Sequence, residues 1–470
     1  MKSERIKKLS LKTYAIALII AFFVGLVLGG AIAYSQSSNE NITIDSGSFT
    51  ETASYVIFKV GDTYYVKNGT TGEIEFSGTN AATVINYAIN HVPVKCSVIY
   101  IKSGVYVLNS PVEITSYRED LRIVGGRDTW FNITNNDCGI LIGAGSKISI
   151  EGLNLRGIEG YNAYGIRVIE GTSLTFKDIV GYRLNSWMFL FNASYKNVNY
   201  IFMENIYCIE SYGCIKQMQD VDEHQYNSMS ILATNVIITH CDYGIYLEMN
   251  DATFNGIIGE VDVGDFIQVN ASACHFYNVN IEASQGSTIH ILAGKHNLFS
   301  QVNVWNTKYA VNIESGAKDV VIEGLTAEEI SGSVAKVSTT YPVYFSGFVC
   351  NTSGITPLDL VSDNKVSLTD SYFVSQDSQN LYNNKPYRMH NVRFNKAGTV
   401  YYSENCGTAS FSGTTTSVSH HLIGTPKIVV VTPRDLGYGE FEVTTTSTSI
   451  TITVNNSGNY DFYWYASVTG

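Results

Sequence analysis

Basic side chains are scarce in this chain, in which 30 Lys and Arg face 42 Asp and Glu for a formal net charge of −12. Because a protein that binds nucleic acid needs a basic face to neutralise phosphates, this charge argues against a nucleic-acid partner. Charged residues of both signs make up only 15% of the sequence, whereas tyrosine alone contributes 32 residues. A weakly charged chain that is rich in tyrosine, asparagine, serine and threonine is typical of extracellular β proteins.

Local motifs of common enzymes and metal sites are also missing. The cysteines form neither a CxxC pair nor a Cys/His cluster with zinc spacing. No nucleophile elbow, P-loop, dinucleotide-binding fingerprint or HExxH motif occurs. Cys208 and Cys214 are close enough in sequence to form a disulfide outside the cell, but they are equally well explained as small buried residues. The sequence therefore predicts no required cofactor.

The one dense basic cluster lies within residues 1–12. Residues 13–38 then contain no charged side chain, and this stretch is long enough to cross a bilayer as a helix, which takes about 20 residues. Basic residues before the stretch and few after it place the N-terminus inside and the remaining chain outside. The alternative is a secretory signal that is cleaved after the sequence Ala-Ile-Ala at residues 31–33. We favour a retained single-pass anchor, and both interpretations export residues 41–470.

A short apolar strand recurs between residues 139 and 340 in steps of 21 to 31 residues. Within each step, further strands alternate apolar and polar residues, which is the pattern of a strand with one buried face. Two or three short strands per turn of about 24 residues predict a β-solenoid, in which parallel strands stack at about 4.8 Å. The recurring strands begin at Gly139, Gly165, Met188, Gly213, Gly244, Asp265, Ser287, Ala310 and Val334.

The segment that leads into the repeats has a recognisable order. Residues 79–90 carry apolar residues at helical spacing and predict a short amphipathic helix that covers the end of the stack. A strand that contains K-S-G-V-Y at residues 102–106 follows, and then a strand that ends in I-V-G-G at residues 123–126. This order of helix, strand, turn and strand resembles the opening of the pectin-lyase-like superfamily, including its tail-spike-like members. The resemblance covers roughly residues 79–340 and implies an all-β, single-stranded right-handed parallel β-helix.

From about residue 396 the pattern changes to short strands separated by Gly, Ser and Thr turns. These strands predict a small β-sandwich that is similar to modules at the end of many viral tail-fibre and surface-fibre proteins. Where those modules usually carry His-Gly-Leu, this chain has His420-His421-Leu422. The resemblance implies a fibre-like homotrimer. The predicted domains are thus a basic segment with a transmembrane helix (1–40), an N-terminal hairpin or linker (41–78), the β-helix (79–395) and the C-terminal sandwich (396–470).

Aromatic residues stand just before several of the recurring strands, so a solenoid would align them in one strip with neighbours one coil apart. Such a strip can bind a sugar chain, because the C–H faces of pyranose rings pack on aromatic faces. A stack of rings that only stabilises the turns is the alternative. The candidate glycan-binding residues are Tyr164, Trp187, Tyr212, Tyr243 and Tyr309.

Carboxylates come a few residues earlier in the same turns. Acids in adjacent coils would lie about 5 Å apart and those two coils apart about 9–10 Å, which brackets the carboxyl separations of retaining and inverting glycosidases. Clustered negative charges would also raise one pKa and supply a general acid. The Asn-Thr-Asp, paired-Asp and Gly-His-Gly motifs of polygalacturonases, which belong to the same superfamily, are missing, and Cys214-Ile-Lys replaces their Arg-Ile-Lys. The candidate catalytic residues are Glu210, Asp242, Asp262 and Glu282.

The longest coil, from Gly213 to Cys241, contains an acidic insertion with one histidine at residues 219–225. Such a loop can bind a divalent cation such as Ca²⁺ or supply acid and base groups, although a solvated loop explains it equally well. The candidate metal ligands are Asp220, Asp222 and Glu223.

N-glycosylation sequons also occur along the chain. An Asn-rich sequence contains several by chance, so they permit glycosylation of an exported chain without demonstrating it. The sequons are at Asn41, Asn68, Asn132, Asn192, Asn270, Asn351 and Asn455.

Two functions fit these features, and a purely structural protein without a ligand is a third possibility. The first is a non-catalytic fibre or adhesin on a cell or virion surface, anchored in a membrane through its N-terminal helix or secreted after signal cleavage, that binds polysaccharide or a cell-surface glycan. The second is a polysaccharide lyase or glycoside hydrolase that uses the carboxylates on the β-helix. The missing catalytic motifs and the fibre-like C-terminus favour the first function.

Overall fold

The computed structural model describes residues 53–192, 198–218, 230–375, 380–434 and 440–468. The predicted membrane-spanning helix within residues 13–38 lies outside these ranges. Within them, no helix is long and apolar enough to cross a bilayer.

Three antiparallel strands and one helix form the N-terminal end of the described chain. Asn80 caps the helix, because its Oδ1 accepts a hydrogen bond from the Thr83 N–H (3.1 Å). The helix buries alanine and branched aliphatic side chains against the first coil, as its amphipathic pattern predicts. These elements are β1 (Tyr55–Val60), β2 (Thr63–Asn68), β3 (Ile74–Gly78) and α1 (Ala81–His91).

A stack of parallel strands follows, and it confirms the predicted parallel β-helix with about 12 turns. Each coil pairs in register with the coils before and after it, so that Ile179 faces Ile206 and Ile206 faces Val236. These inward side chains are fully buried and continue as one apolar core along the stack. The domain boundaries given above stay predictions.

The strands of the stack are β4 (Lys95–Ile101), β5 (Gly104–Leu108), β6 (Val112–Ile114), β7 (Glu119–Gly125), β8 (Thr129–Ile133), β9 (Cys138–Ile142), β10 (Ser149–Glu151), β11 (Asn154–Gly157), β12 (Tyr164–Val168), β13 (Gly171–Tyr182), β14 (Trp187–Asn192), β15 (Val198–Ile209), β16 (Gly213–Met218), β17 (Ile231–Cys241) and β18 (Tyr243–Leu247). The later coils contain β19 (Ala252–Val261), β20 (Ile267–Asn270), β21 (His275–Lys295), β22 (Leu298–Trp305), β23 (Thr307–Lys318), β24 (Val320–Glu328), β25 (Ala335–Val337), β26 (Pro342–Ser346), β27 (Val349–Thr352), β28 (Leu358–Leu360), β29 (Lys365–Thr369), β30 (Tyr372–Ser375), β31 (Arg388–His390), β32 (Arg393–Lys396) and β33 (Thr399–Tyr402).

Phenylalanine rings stack inside the core in three successive coils. The ring centres of Phe254 and Phe276 are 5.2 Å apart, and those of Phe276 and Phe299 are 4.7 Å apart. The planes differ by only 7° and 4°, and all three side chains are fully buried. Phe276 therefore fills the space between two aromatic neighbours.

From Gly152 onwards, one corner of each coil is made by a single residue in the left-handed backbone conformation, which glycine, asparagine and aspartate tolerate best. Side-chain hydrogen bonds also connect this column, since Asn205 donates to Asp178 (2.7 Å) and Asn235 donates to Asn205 (2.7 Å). With φ between 46° and 76°, the column consists of Gly152, Asp178, Asn205, Asn235, Gly256, Asn278, Gln301, Gly324, Gly347, Asp370 and Asn391.

Asn205→Ala is expected to lower the free energy of unfolding by about 2 kcal/mol, because alanine is strained at φ 54° and makes neither ladder hydrogen bond. Asn205→Gly removes the same hydrogen bonds but tolerates the conformation, so it should cost less. Urea unfolding followed by circular dichroism measures both. Equal losses in the two variants would contradict the role of backbone strain.

The described C-terminal residues form one small antiparallel sheet of long, bent strands. Its two ends fold towards each other, since the rings of Phe441 and Phe462 from different ends lie 5.4 Å apart. The sheet joins the last coil through the Val468 N–H, which donates to the Ser403 carbonyl (2.9 Å). A small terminal β module is thereby confirmed, whereas a trimer stays a prediction. The strands are β34 (Glu404–Ser419), β35 (Ile428–Pro433), β36 (Phe441–Thr445) and β37 (Ser449–Ser467).

Every cysteine of the chain lies in the described ranges and is a free thiol. Cys208 and Cys214 are fully buried, and the Sγ atom of Cys208 lies 3.6 Å from that of Cys241 instead. The interpretation of Cys208 and Cys214 as small buried residues is therefore confirmed, and they form no disulfide with each other.

Candidate functional site

The predicted aromatic residues lie on or directly beside one face of the stack, which is formed by β9, β12, β14, β16, β18, β20, the C-terminal part of β21, and β23. In the observed register, Gly213 stands between Trp187 and Tyr243. Tyr212 comes one residue earlier, so it does not belong to the column that the sequence alignment gave it. The alignment matched Gly213 to other glycines, but the buried Ile215, which pairs with Phe189, sets the true register.

The aromatic strip is also interrupted further along the stack. Ile245 pairs with Ile267 and Ile267 with Ile289, which places Asp265 and Ser287 in the two coils after Tyr243. Tyr309 pairs with Ser287 and therefore stands apart from the other rings. At the opposite end of the strip, Tyr164 pairs with Cys138 of the preceding coil. Tyr164 itself stands one coil before Trp187.

Three of the five predicted rings come together in a cluster. The ring centres of Trp187 and Tyr212 are 5.9 Å apart, those of Trp187 and Tyr243 are 6.2 Å apart, and those of Tyr212 and Tyr243 are 5.2 Å apart. Trp187 is only 8% exposed, whereas Tyr212 is 40% exposed. The cluster therefore consists of a buried Trp187 ring and a solvent-accessible Tyr212 ring that packs against it.

Glycines of the following coils let these rings lie flat on the backbone. A side chain at Gly213 would place its Cβ 2.6 Å from a ring carbon of Trp187, and one at Gly264 would place its Cβ 2.2 Å from a ring carbon of Tyr243. Such contacts are too short for any residue with a side chain, so both positions need glycine for the rings to keep these orientations.

The ring cluster forms one wall of a groove of about 180 Å³, which we call the aromatic groove. Lys216 extends over it, with its Nζ 5.8 Å from the Trp187 ring centre and 5.6 Å from that of Tyr246. The Tyr246 hydroxyl donates to Glu248 (2.5 Å). Polar groups thus face the rings at close range. The side chains that line the groove are those of Trp187, Tyr212, Lys216, Tyr243, Ile245, Tyr246, Glu248, Asp265 and Gln268.

Asp265, which lines the groove, also contacts a histidine that stands between two carboxylates. Nδ1 of His290 lies 2.6 Å from Asp265 Oδ2, and Nε2 lies 3.2 Å from Glu314 Oε1. Burial on its own would lower the pKa of His290, but the hydrogen bonds and charges of Asp265 and Glu314 outweigh it and raise that pKa. Burial would raise the pKa of Asp265, but the hydrogen bonds from His290 and from the Ser287 N–H lower it. The two carboxylates thus favour the charged form of His290 over the neutral one.

Sequence analysis missed His290 and Glu314, although a signal for them exists. Asp265, His290 and Glu314 follow one another at about the length of one coil, so their side chains meet across adjacent coils. Gln268, His290 and Asn312 share one register position, and that column becomes recognisable only after the coils have been aligned through their buried isoleucines.

The predicted carboxylates do not form a single column. Glu210 lies at a corner with φ 47°, where its Oε2 accepts a hydrogen bond from Arg183 Nε (2.7 Å). Burial and, secondarily, the negative charge of Asp262 raise the pKa of Asp242. Glu282 lines a separate depression on another face. Asp242 and Asp262 are thus the pair that the fold brings together, and the catalytic role of all four carboxylates stays a prediction.

The predicted metal ligands and sequon residues lie away from the aromatic groove or outside the described residues. Asp220, Asp222 and Glu223 lie outside the described residues, and within the described ranges no group of three or more His, Cys, Asp or Glu side chains could hold a metal ion. Asn41 also lies outside them. Half-buried sequon residues are Asn68, Asn132 and Asn192, and exposed ones are Asn270, Asn351 and Asn455.

No protein-family model and no curated protein matches the sequence. Among solved structures, the chain is similar to the tailspike protein gp49 of Pseudomonas phage LKA1, with 12% identity and a TM-score of 0.38 over 79% of this chain and 67% of that one. It is also similar to the gp54 tailspike of Acinetobacter baumannii bacteriophage AP22 in complex with A. baumannii capsular saccharide, with 10% identity and a TM-score of 0.38 over 83% of this chain and 93% of that one. A third is a mutant tailspike of E. coli bacteriophage HK620 in complex with pentasaccharide, with 10% identity and a TM-score of 0.36 over 83% of this chain and 90% of that one.

Proposed function

We propose that this chain is a glycan-binding protein of a cell or virion surface and that the aromatic groove holds the glycan. The observation that carries the proposal is the cluster of Trp187, Tyr212 and Tyr243 on an outward face, in contact with one another and opposite polar side chains. Aromatic rings pack on the C–H faces of sugars, and a few fixed polar groups orient the hydroxyls. Lys216, Glu248 and Gln268 provide both donors and acceptors for this purpose.

We further propose how the protein is displayed on the surface. A helix within residues 13–38 would anchor it in a membrane, or a cleaved signal would release it. The β-helix would serve as a stiff shaft, and the terminal sheet would join it to two further copies or to another component of the surface.

Tyr212→Ala is expected to weaken glycan binding about tenfold, which corresponds to about 1.4 kcal/mol, because the variant removes the most exposed ring of the cluster. Binding of the purified full-length protein to a panel of polysaccharides, followed by isothermal titration with the best ligand, measures the change. Tyr212→Phe keeps the ring and should retain most of the affinity.

Tyr344 supplies a matched control, because it is 48% exposed on β26, in a different part of the stack. Tyr344→Ala should leave affinity unchanged. Equal losses in the Tyr212 and Tyr344 variants would contradict the location of the site, and failure to bind any glycan of a broad panel would contradict the proposed function itself.

A second candidate function is cleavage of the bound glycan, and one observation favours it. Burial and, secondarily, the charge of Asp262 raise the pKa of Asp242, and a carboxyl whose pKa is raised is suited to act as a general acid. Asp242 also lies close enough to Tyr212 for its charge to raise the pKa of that phenol, after the larger effect of burial.

If the protein cleaves its ligand, Asp242→Asn is expected to reduce the rate at least 100-fold with little change in affinity, because the amide cannot donate a carboxyl proton. New reducing ends measure hydrolysis, and ultraviolet absorbance of unsaturated products detects a lyase. Silence of the unmodified protein on the glycan that it binds would discard this candidate and leave the binding function in place.

A further inference from the structure

A second depression lies across the corner of the stack from the aromatic groove, and it contains two arginines. Its volume is about 610 Å³. We call it the arginine cleft, and Arg156, Gly157, Ile158, Glu159, Tyr182, Arg183, Asn185 and Glu210 line it.

Arg156 is held in the cleft by aromatic rings instead of a carboxylate. Its guanidinium carbon lies 4.4 Å from the ring centre of Trp130 and 5.6 Å from that of Tyr182. These rings come from the coils on either side of Arg156, so the cation sits between two ring faces. The Nε atom is buried and has no hydrogen-bond partner among the described residues.

The two arginines of the cleft differ in their electrostatic state. Arg183 also stacks on Tyr182, at 4.8 Å, but its charge is already paired with Glu210 at 2.7 Å. Arg156 forms no ion pair of 4.0 Å or less within the part of the chain that the structure describes. Glu159 is the remaining acid of the cleft, and it is exposed at the rim.

A guanidinium that is oriented by rings and lacks a carboxylate partner is suited to bind a planar or tetrahedral anion through two parallel hydrogen bonds. The cavity is larger than the aromatic groove, so it has room for a whole sugar unit that carries the anion.

The cleft and the groove adjoin along the chain. Asn185 lines the cleft and Trp187, two residues later, lines the groove. One coil further on, Glu210 and Tyr212 have the same relation. Two residues of extended chain span about 7 Å, so one oligosaccharide can occupy both depressions.

We infer that the arginine cleft binds the acid group of a glycan whose neighbouring unit stacks in the aromatic groove, so that the ligand class is an acidic polysaccharide. This inference rests on the proposed glycan-binding function and adds to it the charge of the ligand and the residue that reads this charge. The anion is a carboxylate of a uronic acid or a sulfate ester, since both match the donors of Arg156.

The test compares three oligosaccharides of equal length: one built of uronic acids, its carboxyl-reduced neutral counterpart, and a sulfated one. The full-length protein should bind one of the acidic ligands at least tenfold more tightly than the neutral one. Arg156→Gln should abolish this preference while leaving affinity for the neutral ligand unchanged. The ligand that shows the preference distinguishes carboxylate from sulfate.

Glu159→Gln provides a test in the opposite direction on an exposed residue, where misfolding is not a concern. Removing this negative charge from the rim should strengthen binding of the acidic ligand and leave the neutral ligand unaffected. Arg122→Gln is the control, because Arg122 is paired with Glu151 at 3.0 Å on another face of the stack. It should change neither affinity.

The outcomes separate the inference from the function on which it rests. Equal affinity for acidic and neutral ligands, or an equal loss of both in Arg156→Gln with a correctly folded variant, would overturn the acidic subsite and leave glycan binding established. No binding to any of the three oligosaccharides or to the wider panel would overturn both.

Discussion

Phe276→Ala is expected to lower the free energy of unfolding by about 3–5 kcal/mol, because it removes a fully buried ring from the middle of a stack. Phe254 and Phe299 lie 5.2 and 4.7 Å from it, in the coils on either side. Neither ring can move into the cavity without leaving its own coil, since the backbone of each coil is fixed by parallel pairing on both sides. The site therefore cannot collapse around the missing ring.

Chemical unfolding followed by far-ultraviolet circular dichroism measures this loss, and amide hydrogen exchange shows whether it is concentrated in the coils next to Phe276. Phe202→Ala is the matched control, because Phe202 is 44% exposed on the outer face of β15. Its replacement should cost less than about 1 kcal/mol. Similar losses in both variants would contradict the importance of the buried stack.

Asp265→Ala is expected to destabilise the protein by about 3 kcal/mol near pH 6, since it removes two strong hydrogen bonds at once. His290 loses its partner at 2.6 Å, and the buried Ser287 N–H loses its acceptor at 2.6 Å. Asp265→Asn keeps the shape and one acceptor oxygen, so its cost should be smaller. The difference in unfolding free energy between the alanine and asparagine variants gives the contribution of the acceptor oxygen that asparagine keeps and alanine lacks.

The effect of Asp265→Ala should depend on pH in a defined direction. The pKa of His290 is raised, so its contribution is complete below the ordinary histidine value of about 6.5 and is lost as pH rises through the raised value. The pKa of Asp265 is lowered, so its contribution is complete above the ordinary aspartate value of about 3.9 and is lost as pH falls through the lowered value. The destabilisation should be largest between about pH 4 and 6.5 and smaller at pH 9. A loss that grows towards pH 9 would show that His290 is not charged in the folded protein.

The general architecture could be predicted from the sequence because it follows from patterns within single strands. Inward residues such as Ile179, Ile206 and Val236 alternate with polar ones, and the pattern recurs at the coil length. The capping helix could likewise be predicted from the helical spacing of the apolar residues Ala81, Ile85 and Ile89, all of which are buried.

The candidate site could be predicted only in part, because it depends on the register between strands of neighbouring coils and on the direction in which each side chain points. A one-residue error at Gly213 placed Tyr212 in the wrong column, although its ring still reaches Trp187. The carboxylates diverge because they stand at different places relative to the corners. Glu210 is itself a left-handed residue, Asp242 comes two residues after the left-handed His240, and Glu282 lies within β21. Sequence spacing alone does not reveal where such a corner falls.

The sequence contains a spacing pattern that predicts the aromatic contacts of the arginine cleft. Trp130, Arg156 and Tyr182 follow one another at the period of the coil, which places the cation between two rings. Combinations of unlike residues at the repeat length, and not only recurrences of the same residue type, therefore indicate contacts in a solenoid.

The column of left-handed residues from Gly152 to Asn391 gives eleven successive coils the same corner, so each of them turns at the same point and pairs with the coils before and after it in the same way. A whole coil can accordingly be lost or duplicated without disturbing the capping helix or the terminal sheet. The reach of the protein then changes in increments of about 4.8 Å, the spacing of paired strands. If the groove binds a glycan as proposed, selection acting on such increments can set the distance between that glycan and the proposed point of attachment without changing the groove.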